Sequence, residues 1–200
     1  MSKAATDEFI FNKFSLWLNE AHKAYEKLNL ENHNAFALST CVNNLPSSRM
    51  VLLKDFSHDG FIFYTNEQSR KGLEIAVNPN VAMLFHWNPL HRQIRIEGVC
   101  EKVDSSVSDA YFQSRPYLSK IGAHASQQSR EMGGMAELIK NVAVFSAKYP
   151  LNVPRPTYWH GYNINPKKIE FWVEKAGRLH IRKVYEKTQQ NQWVEKILFP

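Results

Sequence analysis

The chain has 200 residues, 44% hydrophobic and 22% charged, the make-up of a folded protein able to build a sizeable core. Its formal charge of +6 favours anionic partners, and because the 25 Lys and Arg are scattered through apolar segments, compact anions fit better than nucleic acid. No apolar run reaches about eighteen residues, and acids interrupt the first twenty positions where a secretory leader needs an unbroken apolar stretch, so a cytoplasmic protein without membrane partners is expected.

Residues 1–8 read as a flexible N-terminal arm. From Ile10 the apolar positions Phe14, Trp17, Leu18, Ala21, Tyr25 and Leu28 recur at spacings of three and four, which predicts an amphipathic helix over 9–30. After the polar stretch NLENHN the period changes. AFALSTCV, SRMVLLKDF, GFIFYTN, VAMLFHW and RQIRIEGVCEKV are short β-branched or aromatic runs divided by turn chemistry, and predict five strands in antiparallel succession. Between the third and fourth, SRKGLEIAVNP predicts a short helix capped by Ser69 and stopped by Pro79. Two more helices are expected over Ser105–Ser114 and Gly134–Lys148, the second with Met135, Leu138, Ile139, Val142 and Phe145 on one face. Beyond the Pro-rich YPLNVPRP, three or four strands run from Tyr158 to Leu198. Cys41 and Cys100 are too few for a disulfide framework and read as small buried hydrophobes.

Many short strands with helices between them predict a mainly β, α+β fold: one domain over 1–200, a closed antiparallel barrel with helices outside. No GxGxxG or GxxxxGK[ST] occurs, so any phosphate is gripped by side chains. Tyr111, Arg115 and Ser119, spaced four and four, put a phenol, a guanidinium and a hydroxyl on one side of a helix that Pro116 must interrupt; singly, each is more often a solvated surface residue. On a strand Arg49 and Lys54 point to opposite faces, either toward two different anions or as edge charges that block strand pairing. In GRLHIR, alternation places Arg178, His180 and Arg182 on one strand face and Leu179 and Ile181 on the other; like-signed groups so arranged call for an anion or an electron-rich ring. His180 suits a proton shuttle or a neutral donor, and the remaining histidines lack metal-ligand spacing.

With these residues in view, the chain resembles the pyridoxine (pyridoxamine) 5'-phosphate oxidase family. The blocks that carry the likeness are PSSRMVLLK, GFIFYTNEQSRKG, HWNPLHRQIRIEGVCEKV, YFQSRPYLSKIGAHASQQS, PRPTYWHGYNINPKKIEFW and GRLHIR, in order from about Leu38 to Arg182. The resemblance implies a split barrel, a homodimer with two FMN sites at the subunit interface, and oxidation of pyridoxine or pyridoxamine 5'-phosphate to pyridoxal 5'-phosphate, with hydride transfer to flavin and O2 as acceptor giving H2O2. Carried over, it places flavin contacts on Arg49, Met50, Val51, Leu52, Leu53, Lys54, Tyr64, Thr65, Arg70, Lys71, Gln93, Gln128, Ser129, Trp172 and Arg182. Substrate contacts fall on Lys54, Tyr111, Arg115, Ser119, Arg178 and His180, the last two also catalytic.

The chain departs from similar enzymes at Ile181, where they read Asp within Arg-Leu-His-Asp-Arg, in its KILFP ending, and in an N-terminal MSKAATDEF that lacks a basic, Tyr-containing arm. Two other readings compete: a phenazine-pathway-type flavin oxidase, which lacks the Arg-x-His pair kept here as Arg178 and His180, and a non-catalytic flavin-binding barrel.

Overall fold

A computed structural model describes residues 3–200; Met1 and Ser2, part of the expected arm, lie outside the described residues. Lys3–Ala5 form a strand, β1, and helix α1 spans Asp7–Lys27, so order begins earlier in the chain than the composition implied. Thr6 explains the start: its Oγ1 accepts from Phe9 N at 3.2 Å, while Asp7 and Glu8 favour the positive end of the helix dipole. The helix stops at Lys27, ahead of Asn29, whose φ of 52° is left-handed.

The strands are β2 (Ala35–Val42), β3 (Leu45–Leu52), β4 (Asp55–Ser57), β5 (Gly60–Asn66), β6 (Asn80–Trp87), β7 (Arg92–Lys102), β8 (Trp159–Val173), β9 (Ile181–Lys187) and β10 (Trp193–Leu198). Their order is β1-β10-β9-β8-β7-β6-β2-β3, with β5 pairing β4 and β8. Sequence neighbours therefore do not all pair in succession: β2 lies between β3 and β6, and β5 reaches β8 instead of β3. Gly60 permits that contact, since a Cβ there would stand 2.4 Å from the Ile164 carbonyl oxygen. The β2–β3 hairpin turns on Asn43 and Asn44, φ 52° and 63°, the two left-handed positions of a tight primed turn.

The chain, read from sequence as one domain, divides into two compact units. The first holds residues through Phe63, Asn78–Glu101 and Asn163–Pro200; the second holds Tyr64–Val77 and Lys102–Tyr162. In the first, α1 lays Ile10, Phe11, Phe14, Trp17 and Ala21 against the sheet. Phe14 meets Phe56, Phe61 and Phe85 edge-on at 4.8, 4.9 and 5.6 Å, and Trp17 meets Phe171 at 5.1 Å.

The second unit carries α2 (Arg70–Val77), α3 (Ser105–Ser114), α4 (Tyr117–Ala125) and α5 (Met135–Lys148) around Phe112, Ile121, Val153 and Trp159. Arg115 is extended (φ −73°, ψ 150°), as the residue before Pro116 must be, and separates α3 from α4. The face expected of α5 is only half used: Val142 and Phe145 pack on this core, whereas Met135 and Ile139 are 63% and 65% exposed. Cys100 is buried, which pushes its thiol up to about 12, but Cys41 is only half-buried. Among the described residues no helix is long and apolar enough to cross a membrane.

Candidate active site

In the second unit, cations and hydroxyls gather where α2 begins. Lys71 is 8% exposed and donates from Nζ to Thr65 Oγ1 and Ser69 Oγ, both at 3.3 Å. Ser69, fully buried, donates to the Asn66 carbonyl at 2.6 Å, and Thr65 donates to Gln128 Oε1 at 3.4 Å. An ammonium oriented by two hydroxyls whose own protons are committed, beside a helix N-terminus, suits a phosphomonoester. Arg70 lies apart from it, exposed and paired along the helix with Glu74 at 2.8 Å. Ser129 follows Gln128 in a left-handed conformation (φ 71°), and both border a recess of about 260 Å³ with Arg130 and Asn141.

The same unit holds a stack of aromatic rings. Tyr64 lies parallel to Tyr111 at 4.0 Å and to Trp159 at 5.1 Å. The Arg115 guanidinium lies 4.8 Å from the Trp159 ring and 5.5 Å from Phe112, and its Nη1 is buried without a hydrogen-bond partner. Burial lowers the pKa of Arg115, and the Tyr111 hydroxyl opposes that shift. Such a cation, short of one acceptor in an apolar wall, is poised for an anion. Ser119 is half-buried on the first turn of α4. Arg155 braces the group, donating from Nε to Asp109 Oδ1 on α3 at 2.6 Å and from Nη1 to the Trp159 carbonyl at 2.7 Å.

In the first unit Arg49 is held by hydroxyls, donating from Nη1 to Thr40 Oγ1 at 2.7 Å and from Nη2 to Ser47 Oγ at 2.8 Å. It lies on β3, which ends the strand order, and so Met50, Val51 and Leu52 are edge residues; Leu53 is buried and Lys54 exposed beyond them. Gln93 accepts from Arg95, and Arg182 is held by Glu170. The expected single face of Arg178, His180 and Arg182 is not formed, because β9 begins only at Ile181. Arg178 ends a 3-10 turn over Ala176–Arg178 with φ 62°, following Gly177 at φ 66°. Two left-handed residues in a row break the alternation on which a shared face depends. Ile181 is 44% exposed.

His180 is half-buried with its ring 4.6 Å from that of Trp172, and its Nδ1 accepts from Lys175 N at 3.2 Å. A backbone N–H can only donate, so Nδ1 carries no proton and the neutral ring keeps its proton on Nε2. The turn is tied down at Glu174, whose N donates to the His91 carbonyl and whose carboxylate meets His91 Nδ1, each at 2.9 Å. Sequence reasoning missed Trp159, Arg155, Arg95, Glu170 and the His91–Glu174 pair. Trp159 and Arg155 fell inside a quoted block, PRPTYW, and the acid in KIEFW had a signal of its own: a charge in an otherwise apolar strand run.

The fold is that of the split barrels. A solved structure of PhzG from Burkholderia lata, in complex with tetrahydrophenazine-1-carboxylic acid, superposes with a TM-score of 0.86 at 28% identity, covering 95% of this chain and 92% of that one. A pyridoxamine 5'-phosphate oxidase-related, FMN-binding protein from Nostoc punctiforme shares the fold at 15% identity with a TM-score of 0.72, covering 92% and 97% of the two chains. The sequence pattern of the pyridoxamine 5'-phosphate oxidase family matches residues 21–148, and that of the pyridoxine 5'-phosphate oxidase C-terminal dimerisation region matches residues 159–200. The pyridoxine/pyridoxamine 5'-phosphate oxidase of Pelagibacter ubique is 46% identical over 190 residues, 94% of this chain and 89% of that one. That of Haemophilus ducreyi is 46% identical over 200 residues, 100% and 93% of the two chains. The chain belongs to the pyridoxamine 5'-phosphate oxidase family.

Proposed function

We propose that the protein is an FMN-dependent oxidase, a homodimer that converts pyridoxine or pyridoxamine 5'-phosphate to pyridoxal 5'-phosphate. The observation that carries this reading is Arg115, whose buried, unpartnered Nη1 beside stacked aromatic rings suits the phosphate of an aromatic substrate. Tyr111 and Ser119 of the same unit complete that anion's donors, and Lys54 is a separate candidate for a substrate contact. Lys71 and the N-terminus of α2 suit the FMN phosphate, and Arg49 is a separate candidate for a flavin contact. The backbone from Arg49 through the end of β3 to Lys54, with Gln93, Trp172 and Arg182 of the same unit, serves the rest of the flavin.

Bound FMN supplies the two-electron acceptor, which O2 regenerates with release of H2O2. The protein's own part is positioning and electrostatics. His180, held at Nδ1 by Lys175 N, offers Nε2–H to a substituent of the pyridine ring, and the Arg178 guanidinium covers the ring's open face. Ile181 supplies no carboxylate to this step.

Anaerobic addition of pyridoxine 5'-phosphate to the FMN-loaded protein tests the reading: the visible flavin band should bleach and return on admitting air. A yellow protein that neither bleaches nor forms aldehyde would be a flavin-binding barrel without turnover. The likeness to PhzG supports a second reading, oxidation of a reduced phenazine precursor. Bleaching by tetrahydrophenazine-1-carboxylic acid but not by pyridoxine 5'-phosphate would favour it.

A further inference from the structure

Glu170, three residues before the end of β8, is 3% exposed. A carboxylate placed so deeply must be matched by cations, because burial strips its hydration. Arg182 on β9 makes a two-point bond to it, Nε to Oε1 at 2.6 Å and Nη2 to Oε2 at 3.0 Å. Arg95 on β7 brings Nη1 to 4.0 Å from Oε2, and aims Nε and Nη2 at Gln93 Oε1, 3.3 and 3.0 Å away. Gln93, Arg95, Glu170 and Arg182 thus form one line across three neighbouring strands of the first unit.

That line fixes polarity. A guanidinium can only donate, so Gln93 must turn Oε1 toward Arg95, which leaves its NH2 to donate elsewhere. Arg182 has five N–H bonds; its Nε and Nη2 serve Glu170 and its Nη1 reaches the Phe199 carbonyl at 3.3 Å, so two remain. Both ends of the line offer donors and no acceptor. Trp172, two residues beyond Glu170 and paired in register with Arg182, adds a flat ring.

We propose that Glu170 is the positioning residue that makes this sheet face a donor-only edge, suited to the acceptor-rich rim of a flavin heterocycle. The inference rests on the FMN reading above and adds to it the residue that orients the contacts and the electronic bias that follows. Donors aimed at the ring favour its electron-rich, reduced form, and therefore raise its midpoint potential.

The test compares the wild-type protein with Glu170→Gln and Arg95→Leu, measuring the FMN dissociation constant by quenching of flavin fluorescence and the midpoint potential by reductive titration. Glu170→Gln sets an amide against guanidinium groups and should weaken FMN about tenfold, the loss of roughly one charge-assisted hydrogen bond, and lower the potential. Arg95→Leu leaves the Glu170–Arg182 bond but releases Gln93, and should weaken FMN about threefold with a shift of potential in the same direction. If the wild type binds FMN and both variants keep its affinity and potential, the role of Glu170 is overturned while the FMN reading stands. If the wild type fails to quench FMN fluorescence, both fall. Should Glu170→Gln not fold, Arg95→Leu at its half-exposed position decides: unchanged affinity and potential there overturn the proposal.

Discussion

The guanidinium of Arg115 stands 4.8 Å from the ring of Trp159, in a wall that desolvates it without satisfying its Nη1. Burial of that kind costs free energy in the free protein and is offset when an anion arrives. Arg115→Ala should therefore raise KM for pyridoxine 5'-phosphate about 10- to 100-fold, the loss of a charge-assisted contact worth about 1.5–3 kcal/mol, with FMN affinity unchanged. Steady-state kinetics beside an FMN titration checks it; an unmoved KM removes Arg115 from the phosphate site.

The proposed function puts Arg178 and His180 at the reacting ring. Replacing both with Ala should cut kcat by at least about a hundredfold while the FMN dissociation constant stays within about twofold. Near-normal kcat in the double variant would take them out of the mechanism.

Phe14 is fully buried where three other aromatic rings converge. Phe14→Ala should lower unfolding free energy by about 3–5 kcal/mol, the cost of lost transfer energy plus a cavity. Urea unfolding followed by intrinsic fluorescence measures it, and a loss under about 1 kcal/mol would mean that α1 does not anchor this core.

Lys13 lies on the inner side of α1, its Nζ 4.3 Å from the Phe171 ring, and its pKa is lowered to about 8, by burial first and by Lys183 second, with Glu195 opposing. Between about 8 and the ordinary 10.5 the unfolded chain binds this proton and the folded chain does not, so stability from this group rises with pH across that window. Below it the cost of burying the ammonium is fully present. Lys13→Met should raise the melting temperature at pH 7, with the gain shrinking toward pH 10. Thermal melts at the two pH values check this; a variant less stable at pH 7 would show that the cation–ring contact outweighs desolvation.

Much of this architecture was legible because its signals are local. The residue limits of β2 and β5 follow from short β-branched or aromatic runs bounded by Asn and Gly turns, and the end of α3 from Pro116 after it. Strand order was not legible, since pairing β5 with β8 depends on a close backbone approach at Gly60 rather than on either strand's own pattern. At the candidate site, residue types were readable and directions were not. GRLHIR alternates as a strand does, yet consecutive left-handed conformations at Gly177 and Arg178 turn its first half into a loop. Glu170 carried a local signal as a charge in an apolar run, but its role was not legible because the cations it meets lie on other strands.

The strands nearest the two chain ends share one ladder, Lys3 facing Glu195 and Ala5 facing Trp193. A short polar linker would bridge them, so a circularly permuted version with new ends opened at the exposed Asn43–Asn44 hairpin should still assemble. Conversely, deleting β10 would strip the first strand of its neighbour and remove Trp193, whose indole N–H donates to Asp7 at 2.6 Å, so trimming one terminus loosens the other.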